Sequence, residues 1–160
     1  MRLRRPTAKE LASLRVIADY QFGPPAGRLL IPDNVLVSVS PNTLRIRSLL
    51  LEGKIIATLR AQDGLYSLSI EGARLLHRGM PEPRLRVYVD TSVAEYIARG
   101  RNAFAKHVVR ADPGIRPGDE VLVVDEQDRL LAVGKARFSG VEIPYFKSGE
   151  VVRVRKGVED

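Results

Sequence analysis

The sequence holds no cysteine and only two histidines, His77 and His107. Without thiols there can be no disulfide, no thiolate nucleophile and none of the usual structural zinc ligand sets. Two histidines are too few for a His-rich metal site, and no tight carboxylate cluster stands out for Mg²⁺. Neither a metal nor a cofactor is expected. Apolar runs such as Leu29-Leu30-Ile31 and Leu49-Leu50-Leu51 fall far short of the ~20 residues that cross a bilayer. The opening Met1-Arg2-Leu3-Arg4-Arg5-Pro6 has a signal peptide's charge without its apolar core, which predicts a cytoplasmic protein with no membrane partner. Gly23-Pro24-Pro25-Ala26-Gly27 lacks the Gly-Lys-Ser/Thr ending of a phosphate loop and reads as having no helix behind it. Ser139 and Ser148 lie outside any Gly-x-Ser-x-Gly elbow, and His107 has no acid beside it. Asp112, Asp119 and Asp125 sit at turns, where Asx geometry accounts for them. No residue is assigned a catalytic role, and the chain reads as a non-enzyme.

What it has is positive charge. The net charge is +7 and the isoelectric point about 10.0, a balance that favours polyanions, nucleic acid above all. Residues 1–82 carry twelve Lys and Arg against seven acids, and residues 83–160 carry fourteen against twelve. The excess therefore lies in the first half. A 44% hydrophobic content is ordinary for a folded protein, and scarce Cys and Met beside abundant Arg, Glu and Val suit a thermophile.

The pattern predicts two small domains, 1–82 and 83–160, in an α+β chain. Thr7 and Glu10 form a capping-box signal, and Leu11, Leu14, Ile17 and Ala18 follow at helical spacing as far as Tyr20. Strands are predicted over 35–39, 44–51, 54–60 and 65–70, with a short helix over 71–77. Met80-Pro81-Glu82-Pro83 reads as a stiff, extended joint. Beyond it come an alternating strand over 84–89, a helix over 93–99 capped by Thr91 or Ser92, and a single strand over 103–109. A hairpin pairs 120–125 with 130–138, and a last strand covers 151–155. Many short strands in so small a region predict a partly closed β-barrel.

The stretch Gly100–Val109 draws attention because Arg101, Lys106 and His107 surround Phe104. Cations for phosphates and a ring for stacking make a nucleic-acid surface. Phe104 could equally be a core residue with the cations as its solvated edge. Lys135, Arg137, Arg153, Arg155 and Lys156 would add a cationic rim, and Gly100, lacking a side chain, would let a phosphate approach its backbone.

Residues 84–157 resemble the PUA domain, an RNA-binding module. The resemblance rests on Arg86-Val87-Tyr88-Val89-Asp90, Ala98–Lys106, Ile115–Val121 and Leu131–Ala136. Upstream, Ala18-Asp19-Tyr20-Gln21-Phe22-Gly23 and Ala57–Tyr66 resemble the domain that precedes PUA in archaeal tRNA-guanine transglycosylases and archaeosine synthases. The resemblance implies a small mixed α/β pre-PUA domain followed by a PUA β pseudo-barrel. It implies RNA binding, most of all to the acceptor stem and 3′ end of tRNA. The groove it implies is Gly100, Arg101, Asn102, Phe104, Ala105 and Lys106, with Arg137, Arg153 and Arg155 as a second wall. The transglycosylases' catalytic barrel, aspartate nucleophile and cysteine-rich zinc site have no counterpart in these 160 residues. The expectation is thus a free-standing, non-catalytic RNA-gripping protein; in one version it serves in trans as the RNA-binding subunit of a tRNA-modification enzyme. The alternatives are a ribosome-assembly factor that binds rRNA, and a small RNA-modifying enzyme using His107 or an Asp.

Overall fold

The computed structural model describes residues 2–160, and the chain divides into two compact units between Met80 and Pro81. In the first unit an antiparallel sheet runs in the order β1 (Arg2–Arg4), β2 (Leu36–Val39), β3 (Ile46–Leu51), β4 (Lys54–Leu59), β5 (Tyr66–Leu68). Three helices pack with it: α1 (Ala8–Phe22), α2 (Ala26–Leu30) and α3 (Ile70–Gly79). The capping box is formed, with the Glu10 N–H donating to Thr7 Oγ1 at 3.1 Å and the Thr7 N–H to Glu10 Oε1 at 2.8 Å. Leu14, Ala18 and Phe22 carry the apolar stripe of α1 into the core, two residues beyond the predicted end.

Two expectations need correction here, and one strand was not foreseen. A helix, α2, does follow Pro24-Pro25. The Asp19 carboxylate accepts from the Gly27 N–H at 2.7 Å, and Gly27, bare of a side chain, packs against the Arg15 backbone. Strand β1, unforeseen, pairs antiparallel with β2, Leu3 lying opposite Ser38, and its Arg4 reaches Glu10 of α1. Strand β3 begins at Ile46 rather than at Leu44. Leu44 sits at φ 60° in a loop closed by its own N–H to the Ser40 carbonyl and by the Ser40 N–H to the Arg45 carbonyl.

The motif residues around Tyr20 and Tyr66 act as a clamp. Gln21 donates to the Tyr66 carbonyl at 2.9 Å and accepts from its N–H at 2.7 Å, while the buried Tyr66 hydroxyl donates to the Leu14 carbonyl. An edge strand of three residues is thereby fixed to α1.

The second unit is a nearly closed six-stranded sheet. Its strands are β6 (Arg86–Val89), β7 (Ala103–Phe104), β8 (Val108–Ala111), β9 (Glu120–Val124), β10 (Leu130–Ala136) and β11 (Glu150–Gly157). They run in the order β7-β11-β10-β9-β6-β8, and only β6 with β9 is parallel. The interior is filled by Val87, Val89, Ile97, Ala103, Val121, Val123, Ala132, Val151 and Val152.

The predicted single strand over 103–109 is two strands. β7 and β8 are the opposite edges of the sheet, joined by a 3₁₀ turn over Ala105–His107. The break is set by hydrogen bonds from the Ala105 N–H to the Gly149 carbonyl and from the Val108 N–H to the Ala105 carbonyl. Three residues joining the two edges is how the barrel draws shut. The cap before α4 (Ala94–Ala98) is Asp90, whose carboxylate accepts from the Ser92 N–H, and a 3₁₀ turn over Thr91–Val93 intervenes. The proline joint is a turn, closed by the Arg84 N–H to the Pro81 carbonyl at 2.9 Å, and not an extended spacer. Strand β6 shows no alternation because all four of its residues are buried, Arg86 by pairing with Asp128 at 2.9 Å.

Candidate nucleic-acid interface

The turn that follows α4 passes through Gly100 at φ 100°, a conformation that disfavours any side chain. A methyl group there would also come within 2.7 Å of the Asp160 carboxylate. The chain's last residues fold back over this turn, the Glu159 N–H donating to the Ala98 carbonyl at 2.8 Å. Gly157 makes the approach possible, since a Cβ there would meet the Ala98 carbonyl. The side of Gly100 foreseen for a phosphate is covered by Asp160.

Asn102 latches the next residues to β11. Its amide donates to Glu150 Oε2 at 2.7 Å and accepts from the Val154 N–H at 2.9 Å. Glu150 also accepts from Arg137 at 3.0 Å and from Arg153 at 3.3 Å. Partial burial pushes the Glu150 carboxyl up, but hydrogen bonds from Arg137 and Arg153 and the charges behind them outweigh this and hold it below the usual range. Two arginines share one carboxylate, so a positive charge is left over.

Phe104 lies opposite Glu150 in the β7–β11 pairing and is 43% exposed. Between the two readings open for this ring, core or surface, the structure favours surface. Ala103 and Ala105 on either side are buried. Arg101 and Lys106 are exposed and make no ion pair among the described residues. Arg101, Phe104 and Lys106 thus lie in or next to β7, and Arg137 and Arg153 meet Glu150, the residue paired with Phe104. Ala105 contributes only backbone. Arg155 is engaged elsewhere, in a two-pronged pair with Glu120 at 2.8 and 2.6 Å, and the Glu120 side chain is 0% exposed. Sequence reasoning missed both acids. Each opens a strand just after a turn glycine, Gly118 and Gly149, and the only signal was an acid at the head of an apolar strand. Among the described residues no three His, Asp or Glu gather as a metal site would need, and no helix is long and apolar enough to cross a membrane.

Residues 12–83 match the family described as the patch-forming domain C2 of tRNA-guanine transglycosylase, and residues 85–158 match the PUA domain. The chain is a C2 domain followed by a PUA domain. It is 48% identical over 143 residues to the tRNA-guanine(15) transglycosylase of Thermococcus kodakarensis, covering 89% of this chain and 24% of that relative. With the Pyrococcus furiosus transglycosylase it shares 42% identity over 159 residues, covering 99% and 27%. The C2–PUA chain thus spans about a quarter of the length of the curated relatives it matches. A hypothetical protein from Pyrococcus horikoshii OT3 superposes with a TM-score of 0.76 at 25% identity, over 99% of this chain and 96% of that one. A conserved PUA domain protein from Thermoplasma acidophilum, at 23% identity, shares the fold with a TM-score of 0.70 over 99% and 95%. The PUA match and the likeness to the C-terminal region of archaeal transglycosylases support RNA binding.

Proposed function

We propose that the C2–PUA chain is a non-catalytic binder of structured RNA, chiefly tRNA, gripping the acceptor stem and its single-stranded 3′ end. The observation that carries the reading is the exposed Phe104 ring on the edge strand β7, flanked in sequence by exposed Arg101 and Lys106, two cations with no carboxylate partner among the described residues. Cations hold phosphates whatever the sequence, and an exposed ring takes an unstacked base. A-form stems present shape and phosphates rather than readable base edges, which suits a rigid barrel edge. The transglycosylase likeness favours tRNA over other RNA, and fits a role as the RNA-holding partner of a separate tRNA-modifying chain. Arg137 and Arg153 form the second wall. Arg155, Asn102, Ala105 and Gly100 serve by shaping the edge rather than by touching RNA.

The test is binding to total tRNA across a salt series, with rRNA helices as competitor. Tight, salt-dependent binding that prefers tRNA and weakens when the 3′ CCA is trimmed is the expected result. Arg101→Ala and Lys106→Ala should each lower the salt slope by about one. Preference for the rRNA helices would move the assignment to ribosome assembly, and equal weak binding to every polyanion would remove it.

A further inference from the structure

We propose a second RNA contact in the C2 unit: a cleft that receives one unpaired nucleotide, with its base on an aliphatic floor and its phosphate on three cations. The cleft lies between the first turns of α1 and the start of β3, and its volume is about 750 Å³, within the ~300–1,000 Å³ of small-ligand sites. Leu14, Ile17, Ile46 and Leu59 make the floor. Lys9, Arg45 and Arg47 line it as well and are exposed.

The charge at the cleft is unbalanced. Its acid, Glu10, is already engaged by Arg4 at 2.7 and 2.9 Å, and Arg60 is matched by Asp63 at 2.9 Å. Lys9, Arg45 and Arg47 make no ion pair among the described residues. Three uncompensated cations beside an apolar floor offer an anion a place to settle. At the lip stands Leu44, 76% exposed and at φ 60°, a backbone region that leucine seldom occupies. The Ser40–Arg45 hydrogen bonds hold it there.

These features select the occupant. A bare polyanion has no use for the aliphatic floor, and an apolar peptide has none for the cations. A second copy of this chain would bring its own net charge of +7 to a cationic rim. A nucleotide supplies both a flat apolar base and a phosphate, and Thr7, Ser13 and Thr43, also in the lining, carry hydroxyls suited to base or ribose edges. Among the described residues no aromatic ring lines the cleft, so the base is held by aliphatic contact. The contact is independent of the PUA edge.

The test is a methyl-detected NMR titration of the full chain with AMP, GMP, CMP and UMP, using adenosine and inorganic phosphate as separate probes. At least one nucleotide should shift the methyls of Leu14, Ile17, Leu44 and Ile46 saturably, with both separate probes markedly weaker. The double variant Arg45→Ser, Arg47→Ser should weaken that nucleotide about tenfold or more, and Lys106→Ala should leave it unchanged. Leu44→Ala, which removes only an exposed side chain, should weaken it with the fold intact. The proposal is overturned if no nucleotide moves these methyls, if phosphate alone moves them equally, or if shifts gather at Phe104 and spare the cleft. In the tRNA salt series it is the Arg101→Ala and Lys106→Ala variants that read the PUA edge, so the mononucleotide titration and that reading can each fail without the other.

Discussion

Arg155 and Lys106 look alike in the sequence, two cations on apolar strands, yet the fold assigns them opposite work. Arg155 neutralises a carboxylate that has no solvent of its own, Glu120. Removing one partner of such a pair strands the other charge, at a cost of on the order of 2–3 kcal/mol once the partial exposure of Arg155 is allowed for. Urea unfolding should show Arg155→Ala destabilised by that much, with Lys106→Ala within about 0.5 kcal/mol of the parent. RNA affinity lost in Arg155→Ala should then track lost folded protein, whereas that lost in Lys106→Ala should not. Phe104→Ala tests the ring. Stacking on a single base contributes about 1–3 kcal/mol, so affinity for intact tRNA should fall about tenfold and affinity for CCA-trimmed tRNA should hardly change.

At the scale of elements, α1 depends on charge at its first turn. Hydrogen bonds from Arg4, then from the Thr7 backbone, bring the Glu10 carboxyl from an ordinary 4.5 to about 2. A depressed carboxyl contributes stability that is complete above the unfolded value and disappears as pH falls through the folded one. The stability difference between the parent and Glu10→Gln, read by urea unfolding monitored by helical circular dichroism, should therefore shrink between pH 4.5 and about 2. This helix was legible in the sequence because its cap and stripe are local, Thr7 to Glu10 and Leu14 to Ala18. Helix α2 was not, because its N-cap is Pro25 with no capping side chain, and a first-turn N–H, that of Gly27, is taken by Asp19 of the preceding helix. The division of residues 103–109 was hidden for a similar reason. Ala103 to Val109 has uniform strand character, and the carbonyl that ends β7 belongs to Gly149. The cations of the interface could be read from sequence. Which of them are free could not, since Glu120 lies 35 positions from Arg155 and Asn102 lies 48 from Glu150.

For the molecule as a whole, counting cations overstates what is available to an anionic partner. In the PUA unit Arg86, Arg129, Arg137, Arg153 and Arg155 all hold acids of their own chain. The first half, with its five-charge excess, keeps Lys9, Arg45 and Arg47 uncompensated. A salt series on tRNA should therefore show a slope reduced by about two in Arg45→Ser, Arg47→Ser and by about two again in Arg101→Ala, Lys106→Ala. The two reductions should add if the contacts are separate. A slope that falls with only one pair would assign all phosphate contact to that unit.

The four strands at the sheet margins are β1, β5, β7 and β8, and they are only three, three, two and four residues long. Unpaired margins are where chains stack on one another into aggregates, and short, charged ones resist it. β1 adds Arg2 and Arg4, β8 adds Arg110, and β7 is followed at once by a turn whose first N–H is already taken. A heated, partly opened molecule would offer its neighbours little to template on, so the architecture that holds an RNA-facing ring in place also favours recovery from heat over precipitation.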